Sequence, residues 1–140
     1  MSDQSAPRSH QDHRAALRLG FAVIGVVDLE RAAEFWTAAL GLVDSTEWRS
    51  EDWRTLCHPN GPRALGLQRS DSPVEPRPRI HLDLFVDSGA DQDAEVERLV
   101  GLGTQRVQWD LYPPDPDFVV LADPDDNLFC VVDLSHAPST

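Results

Sequence analysis

Seven consecutive positions from Phe21 to Val27 are apolar or glycine, and the run stops at Asp28. Such a run predicts a strand, and with no polar position to face water it is expected to be buried on both faces. Asp28 supplies a helix N-cap. Leu29, Ala32, Ala33, Trp36 and Leu40 then recur at the three- and four-residue spacing of one helix face, and Gly41 supplies the stop. Two short strands are expected over 45–53 and 54–57, then a turn at His58-Pro59-Asn60-Gly61, then a strand over 64–69.

The same order returns after residue 80 with cleaner alternation. Ile80, Leu82, Leu84 and Val86 point one way while His81, Asp83 and Phe85 point the other, so one face packs under a helix and the other looks into a groove. Ser88 or Asp91 begins the second helix, Val96, Leu99 and Val100 form its buried stripe, and Gly101 or Gly103 ends it. Strands are expected over 105–109 and 118–122. The turn Asp123-Pro124-Asp125-Asp126-Asn127 leads into a last strand over 128–133. This echo, with a period of about 60 residues, points to two modules folded around a shared site. Only the second module places a histidine, His81, on the strand that opens it.

The layout implies one domain over 17–135, with module one at 17–70, a proline-bearing linker at 70–79 and module two at 80–135. Residues 1–16, with His10 and His13, read as a polar leader, and 136–140 as a tail. A net charge of -12 argues against nucleic acid and against anionic membranes as partners, because phosphate binding needs clustered cations. No apolar run approaches the roughly 20 residues of a membrane span. No apolar signal core is present, so the expected compartment is the cytoplasm. Cys57 and Cys130 lack CxxC spacing and are expected as reduced thiols.

Several pieces together resemble one family. They are the strand ending in Val27-Asp28, the helix carrying Phe35-Trp36 and Leu40-Gly41-Leu42, His81 opening the second module, and Ala122-Asp123-Pro124-Asp125-Asp126-Asn127-Leu128-Phe129-Cys130. The chain resembles the glyoxalase, bleomycin-resistance and extradiol-dioxygenase superfamily, also called vicinal oxygen chelate. The resemblance implies an α+β fold in which two βαβββ modules form a cupped mixed sheet with helices outside, commonly as a homodimer. In metal-dependent members it implies a divalent ion held by His, Glu or Gln from the first and last strands of both modules. Carried over position by position, that ligand set is met by His81 and replaced by Cys130 in module two. In module one it falls on Phe21 and on the stretch Leu65 to Gln68, where Gln68 is the one oxygen donor. The expectation is therefore no metal cofactor, with His81 and Gln68 as the weak candidates for one.

The remaining candidates are read both ways. His81 is a ligand contact, a general acid or base, or a satisfied core histidine; Asp83, two residues along the same face, either orients the imidazole or is a surface charge. Cys130 reads as a small buried hydrophobe before it reads as a nucleophile. Trp48, Trp53, Trp109 and Tyr112 either line the cup or pack ordinarily, whereas Trp36 belongs to the helix core. The turn at 123–127 has calcium-loop composition without its spacing and is explained as a turn. These residues lead to a protein that binds a small aromatic or apolar organic molecule through Phe21, Trp48, Trp53, Gln68, His81, Trp109, Tyr112 and Cys130. The alternative is a lyase, isomerase or dioxygenase of the same superfamily that uses a metal, or His81 with Asp83, for catalysis.

Overall fold

The computed structural model describes residues 15–136, so the expectations for the rest of the leader, including His10 and His13, and for residues 137–140 lie outside the described residues. The first module runs β1 (Ala22–Val26), α1 (Leu29–Leu40), β2 (Val43–Asp44), β3 (Trp53–Cys57) and β4 (Arg63–Arg69). The second runs β5 (Leu82–Val86), α2 (Gly89–Leu102), β6 (Gln105–Arg106), β7 (Phe118–Ala122) and β8 (Leu128–Asp133). Each module makes a four-stranded mixed sheet, ordered β1-β4-β3-β2 and β5-β8-β7-β6, in which the first strand pairs parallel with the last and the other pairs are antiparallel. The fold is α+β, built from two βαβββ modules.

The local signals act as their chemistry dictates. Asp28 accepts a hydrogen bond from the Arg31 N–H at the start of α1, and Gly41 closes it in the left-handed region at φ 66°. Ser88, not Asp91, caps α2, and Gly103 rather than Gly101 ends it. Leu29, Ala32, Ala33, Phe35, Trp36 and Ala39 of α1 are buried, while Leu40, expected in the stripe, is half-exposed. On α2 the same holds for Val100, and Val96 and Leu99 carry the packing.

Four strand expectations are corrected. Of 105–109 only Gln105–Arg106 pairs with β7, and of 80–86 only Leu82–Val86 is strand, with Ile80 exposed rather than packed. The other two lie in the first module. The segment 45–52 is a loop and its strand is the shorter Val43–Asp44, which pairs in continuous register with β3, whereas the loop meets β3 only through single contacts such as the Ser50–Trp53 bridge. The first strand is not buried on both faces: Val23 is 47% exposed. Helices cover one face of each sheet only, so Ala22, Ile24 and Val26 meet the core while Val23 and Gly25 look away from it.

A single core unites the modules. Trp36 of α1 meets Phe129 of β8 edge-on at 5.2 Å between ring centroids, and Phe35 meets Trp36 at 5.0 Å in the same manner. Aromatic pairs in this arrangement add about 0.5–1.5 kcal/mol each beyond area burial. The turn at 123–127 closes this joint with polar groups. Trp36 Nε1–H donates to Asp123 Oδ2 at 3.1 Å. Asp125 Oδ1 accepts from the Val27 and Asp28 N–H groups and pairs with Arg31 at 2.9 Å. Asn127 Nδ2 donates to the Gly25 carbonyl. Its alternate residues thus bind the first module, which gives the acidic turn a structural purpose. Burial raises the Asp123 pKa, and hydrogen bonds from Asn127, Trp36 and Asp125 oppose that rise. Arg98 of α2 adds a second tie by donating to the Ala38 and Ala39 carbonyls at the end of α1. Among the described residues no helix is long and apolar enough to cross a membrane.

Candidate functional site

The parallel register of β5 on β8 sets Asp83 opposite Cys130, and His81 precedes Asp83 by two residues on the same face. The outcome is a tight group: His81 Nε2 lies 3.1 Å from Asp83 Oδ1, and one donor atom from each of His81, Asp83 and Cys130 falls within 4.8 Å of the others. His81 and Asp83 are exposed, and Cys130 is buried. Burial, then the charge of Asp83, its hydrogen bond with the thiol and the charge of Asp117 push the Cys130 pKa up to about 11. The thiol therefore stays protonated near neutrality, in line with its reading as a non-nucleophilic side chain.

These three groups stand at the edge of a cavity of about 420 Å³. Its walls include Trp109 and Leu111 from the connection before β7, Phe118 and Val120 from β7, and Leu128 and Val132 from β8, with Arg77, Asp83 and Asp117 as charged groups around it. A largely apolar hollow with a few convergent polar groups is the usual form of a small-molecule site. No residue of the first module lines it.

The equivalent face of the first module has the opposite character. Aligning the two registers places Phe21 where His81 stands, Val23 where Asp83 stands and Gly66 where Cys130 stands. Trp53 and Thr55 answer to Phe118 and Val120. The Trp53 ring lies over Gly66, where a Cβ would meet Trp53 Cη2 at 2.7 Å and Phe21 Cε1 at 3.0 Å. Trp53 Nε1–H donates to Thr55 Oγ1 at 2.7 Å. Arg63 stacks over Phe21 and over Trp48, with its guanidinium carbon 4.9 Å from the Trp48 centroid. The first half-cup is packed with its own side chains.

The sequence-read residues therefore divide. His81, Cys130 and Trp109 share the second-module cavity with Asp83. Phe21, Trp48 and Trp53 cluster in the first module. Gln68 is exposed on β4, two residues beyond the position equivalent to Cys130, so the oxygen ligand sought in the stretch Leu65 to Gln68 is replaced by a glycine. Tyr112 stands outside the cavity lining: its hydroxyl accepts from the Val120 N–H at 2.8 Å and its ring packs on Phe118. Phe118, Val120, Leu111 and Asp117 were missed. The alternation of β7 was the available signal for the first two.

The description "Glyoxalase-like domain" fits residues 21–132 as a family model. The chain belongs to the glyoxalase-like domain family. Among solved structures it is similar to a glyoxalase/bleomycin resistance protein/dioxygenase family enzyme from Burkholderia phytofirmans PsJN, with TM-score 0.64 and 17% identity over 82% of this chain and 97% of that one. It is similar to a glyoxalase-related enzyme from Fulvimarina pelagi, with TM-score 0.63 and 21% identity over 88% and 92%. A third similar structure is a mutant of the fosfomycin resistance protein FosX from Listeria monocytogenes, complexed with Mn(II) and 1S,2S-dihydroxypropylphosphonic acid; it matches with TM-score 0.63 and 19% identity over 85% and 93%. No curated protein gives a significant match.

The Mn(II) of that FosX complex raises the question of which ion the donors of this glyoxalase-like chain would suit. The position-by-position reading left His81 with one sulfur and a distant amide. The structure removes Gln68 from the set and adds Asp83, so one imidazole, one carboxylate and one thiol converge from two adjacent strands. Three such donors beside an open cavity suit a divalent ion that tolerates sulfur.

Proposed function

We propose that this glyoxalase-like protein binds a small organic molecule in the second-module half-cup. The apolar body of the ligand lies against Trp109, Leu111, Phe118 and Val120, and its polar group meets His81 and Asp83. The observation that carries this reading is the cavity of about 420 Å³ in which an apolar wall ends at the His81, Asp83 and Cys130 group. That volume accommodates a drug-sized or smaller molecule. The grip as drawn uses side chains alone. An aromatic ligand fits because flat rings pack well on indole and phenyl faces, and Trp109 and Phe118 both line the cavity.

A second reading, an enzyme using acid–base chemistry, is favoured by the 3.1 Å approach of His81 Nε2 to Asp83 Oδ1. In the tautomer protonated at Nε2, the carboxylate holds the ring and the Nδ1 lone pair is left to accept a proton from a bound substrate. Fold likeness by itself does not choose a reaction.

Screening aromatic compounds by thermal shift and tryptophan quenching tests the first reading, with Trp109→Phe as the control that removes the responding fluorophore. His81→Ala should weaken a binding hit by about 1–3 kcal/mol through loss of a hydrogen bond. If the substituted protein keeps full affinity but loses turnover of the compound, acid–base catalysis replaces simple binding. A hit whose affinity and quenching survive substitution of both His81 and Trp109 removes the ligand from this cavity.

A further inference from the structure

We propose that the second-module cavity is a docking groove for the chain's own residues 15–20, with Leu17 and Leu19 against its apolar wall and Arg18 at its acidic rim. The inference concerns the cavity assigned above to an organic ligand but does not rest on that reading, because it needs only the groove and the arm.

The arm carries apolar area without a partner. Leu17 is 90% exposed and Leu19 97%, and they flank Arg18 on the segment that leads into β1. In an extended chain, residues two apart project to one side and the residue between them to the other, so both leucines can enter a wall while Arg18 stays outside it. The cavity supplies that wall in Trp109, Leu111, Phe118 and Val120, and no residue of the first module covers it. Burying two leucines there removes apolar surface from water on both partners.

The arm also reaches the groove. Ala22 at the start of β1 and His81 line one small hollow, and His81 lines the cavity as well, so the arm leaves β1 beside the cavity's edge. The stretch from Leu17 to Phe21 spans about 17 Å when extended, at roughly 3.3–3.6 Å per residue. A tether this short holds the arm at an effective concentration on the order of millimolar, which favours it over the arm of a second copy.

Charge points the same way. Residues 1–20 hold Arg8, Arg14 and Arg18 against Asp3 and Asp12, in a chain whose net charge is -12. Asp83 and Asp117 belong to the cavity lining, and its one arginine, Arg77, is paired with Asp110 at 2.5 Å. An added guanidinium is therefore drawn to this rim, and an acidic segment is repelled from it. Docking closes the side of the half-cup that the first module leaves open.

The test is a nitroxide on the arm. Ala16 shares the Arg18 side of the extended segment, away from the wall. Cys57 and Cys130 are buried, so brief treatment of the full Ala16→Cys chain near neutral pH labels the added thiol. In nitrogen-15 spectra the label should broaden the amide signals of Leu111, Phe118 and Val120 and the indole signal of Trp109. Leu17→Ser together with Leu19→Ser should restore those signals, and Arg18→Glu should restore them in part; all three positions are exposed, so the fold is kept. Equal broadening after the double leucine substitution, full broadening with Arg18→Glu, or no broadening with the unaltered arm would each overturn the proposal. Equal broadening when the nitroxide and the nitrogen-15 sit on different chains of a mixture makes a second copy the occupant and overturns it as well. No organic ligand enters the measurement, so a failed compound screen leaves its outcome readable.

Discussion

The two half-cups share one backbone plan and use it in opposite ways. In the first, Gly66 makes room for the Trp53 ring, Thr55 holds its indole nitrogen, and Phe21 and Arg63 complete the stack. In the second, Cys130 replaces the glycine, Phe118 and Val120 replace Trp53 and Thr55, and His81 with Asp83 replaces Phe21 with Val23. A duplicated scaffold thus keeps one face as packing and leaves the other hollow and polar at one edge. Which half is the site depends on side-chain volume at five or so matched positions, with the backbone left alone.

The joint between the halves is the largest target. Asp125→Ala removes an almost fully buried side chain that accepts from Val27 and Asp28 and pairs with Arg31, so unfolding by urea should show a loss of about 2–4 kcal/mol. An unchanged midpoint would mean the modules stand without this clasp. Next in size is the filled half-cup. Gly66→Val places its Cβ within 3.0 Å of two rings, and overpacking of this kind costs roughly 1–3 kcal/mol and should shift tryptophan emission to the red as Trp53 is displaced. If stability holds and Trp53 emission stays put, the first half-cup is looser than the packing described.

The open half can be sharpened through its thiol. In a Cys57→Ser background, Cys130 with its pKa of about 11 should alkylate at pH 8 roughly a hundredfold more slowly than a free cysteine, and its rate should keep climbing to about pH 11. A plateau near pH 9 contradicts the burial of the thiol beside Asp83. The sign for folding follows from the raised value. The thiol's contribution to stability is fully present below the unfolded pKa of about 8.5 and is lost as pH rises through about 11. The smallest effect belongs to the rim: Trp48→Ala gives up its stack on Arg63, about 0.5–1 kcal/mol, and should leave ligand binding in the second module unchanged. Weakened binding there would show that the halves cooperate in one cup.

Much of this was legible along the chain. The caps Asp28 and Gly41, the alternation from His81 to Phe85, and the place of Phe21 opposite His81 are local signals read within a few residues. The register of β4 was not legible. It depends on pairing across more than 40 residues and on an irregularity between Leu56 and Cys57, so Gln68 was the candidate at a position that belongs to Gly66. Tyr112 looked like a cavity ring because it is aromatic and near the rim, but its hydroxyl is used on the Val120 amide.

By itself the sequence determined the two-module plan, the boundaries of α1 and the face on which His81 stands, because periodicity and capping act over one or two turns of chain. Tertiary structure alone decided that Asp83 and Cys130 meet His81 in one group, that the first half-cup is filled, and that the acidic turn binds the modules together. Those outcomes require residues distant in sequence to be set side by side, and only strand pairing and core packing do that.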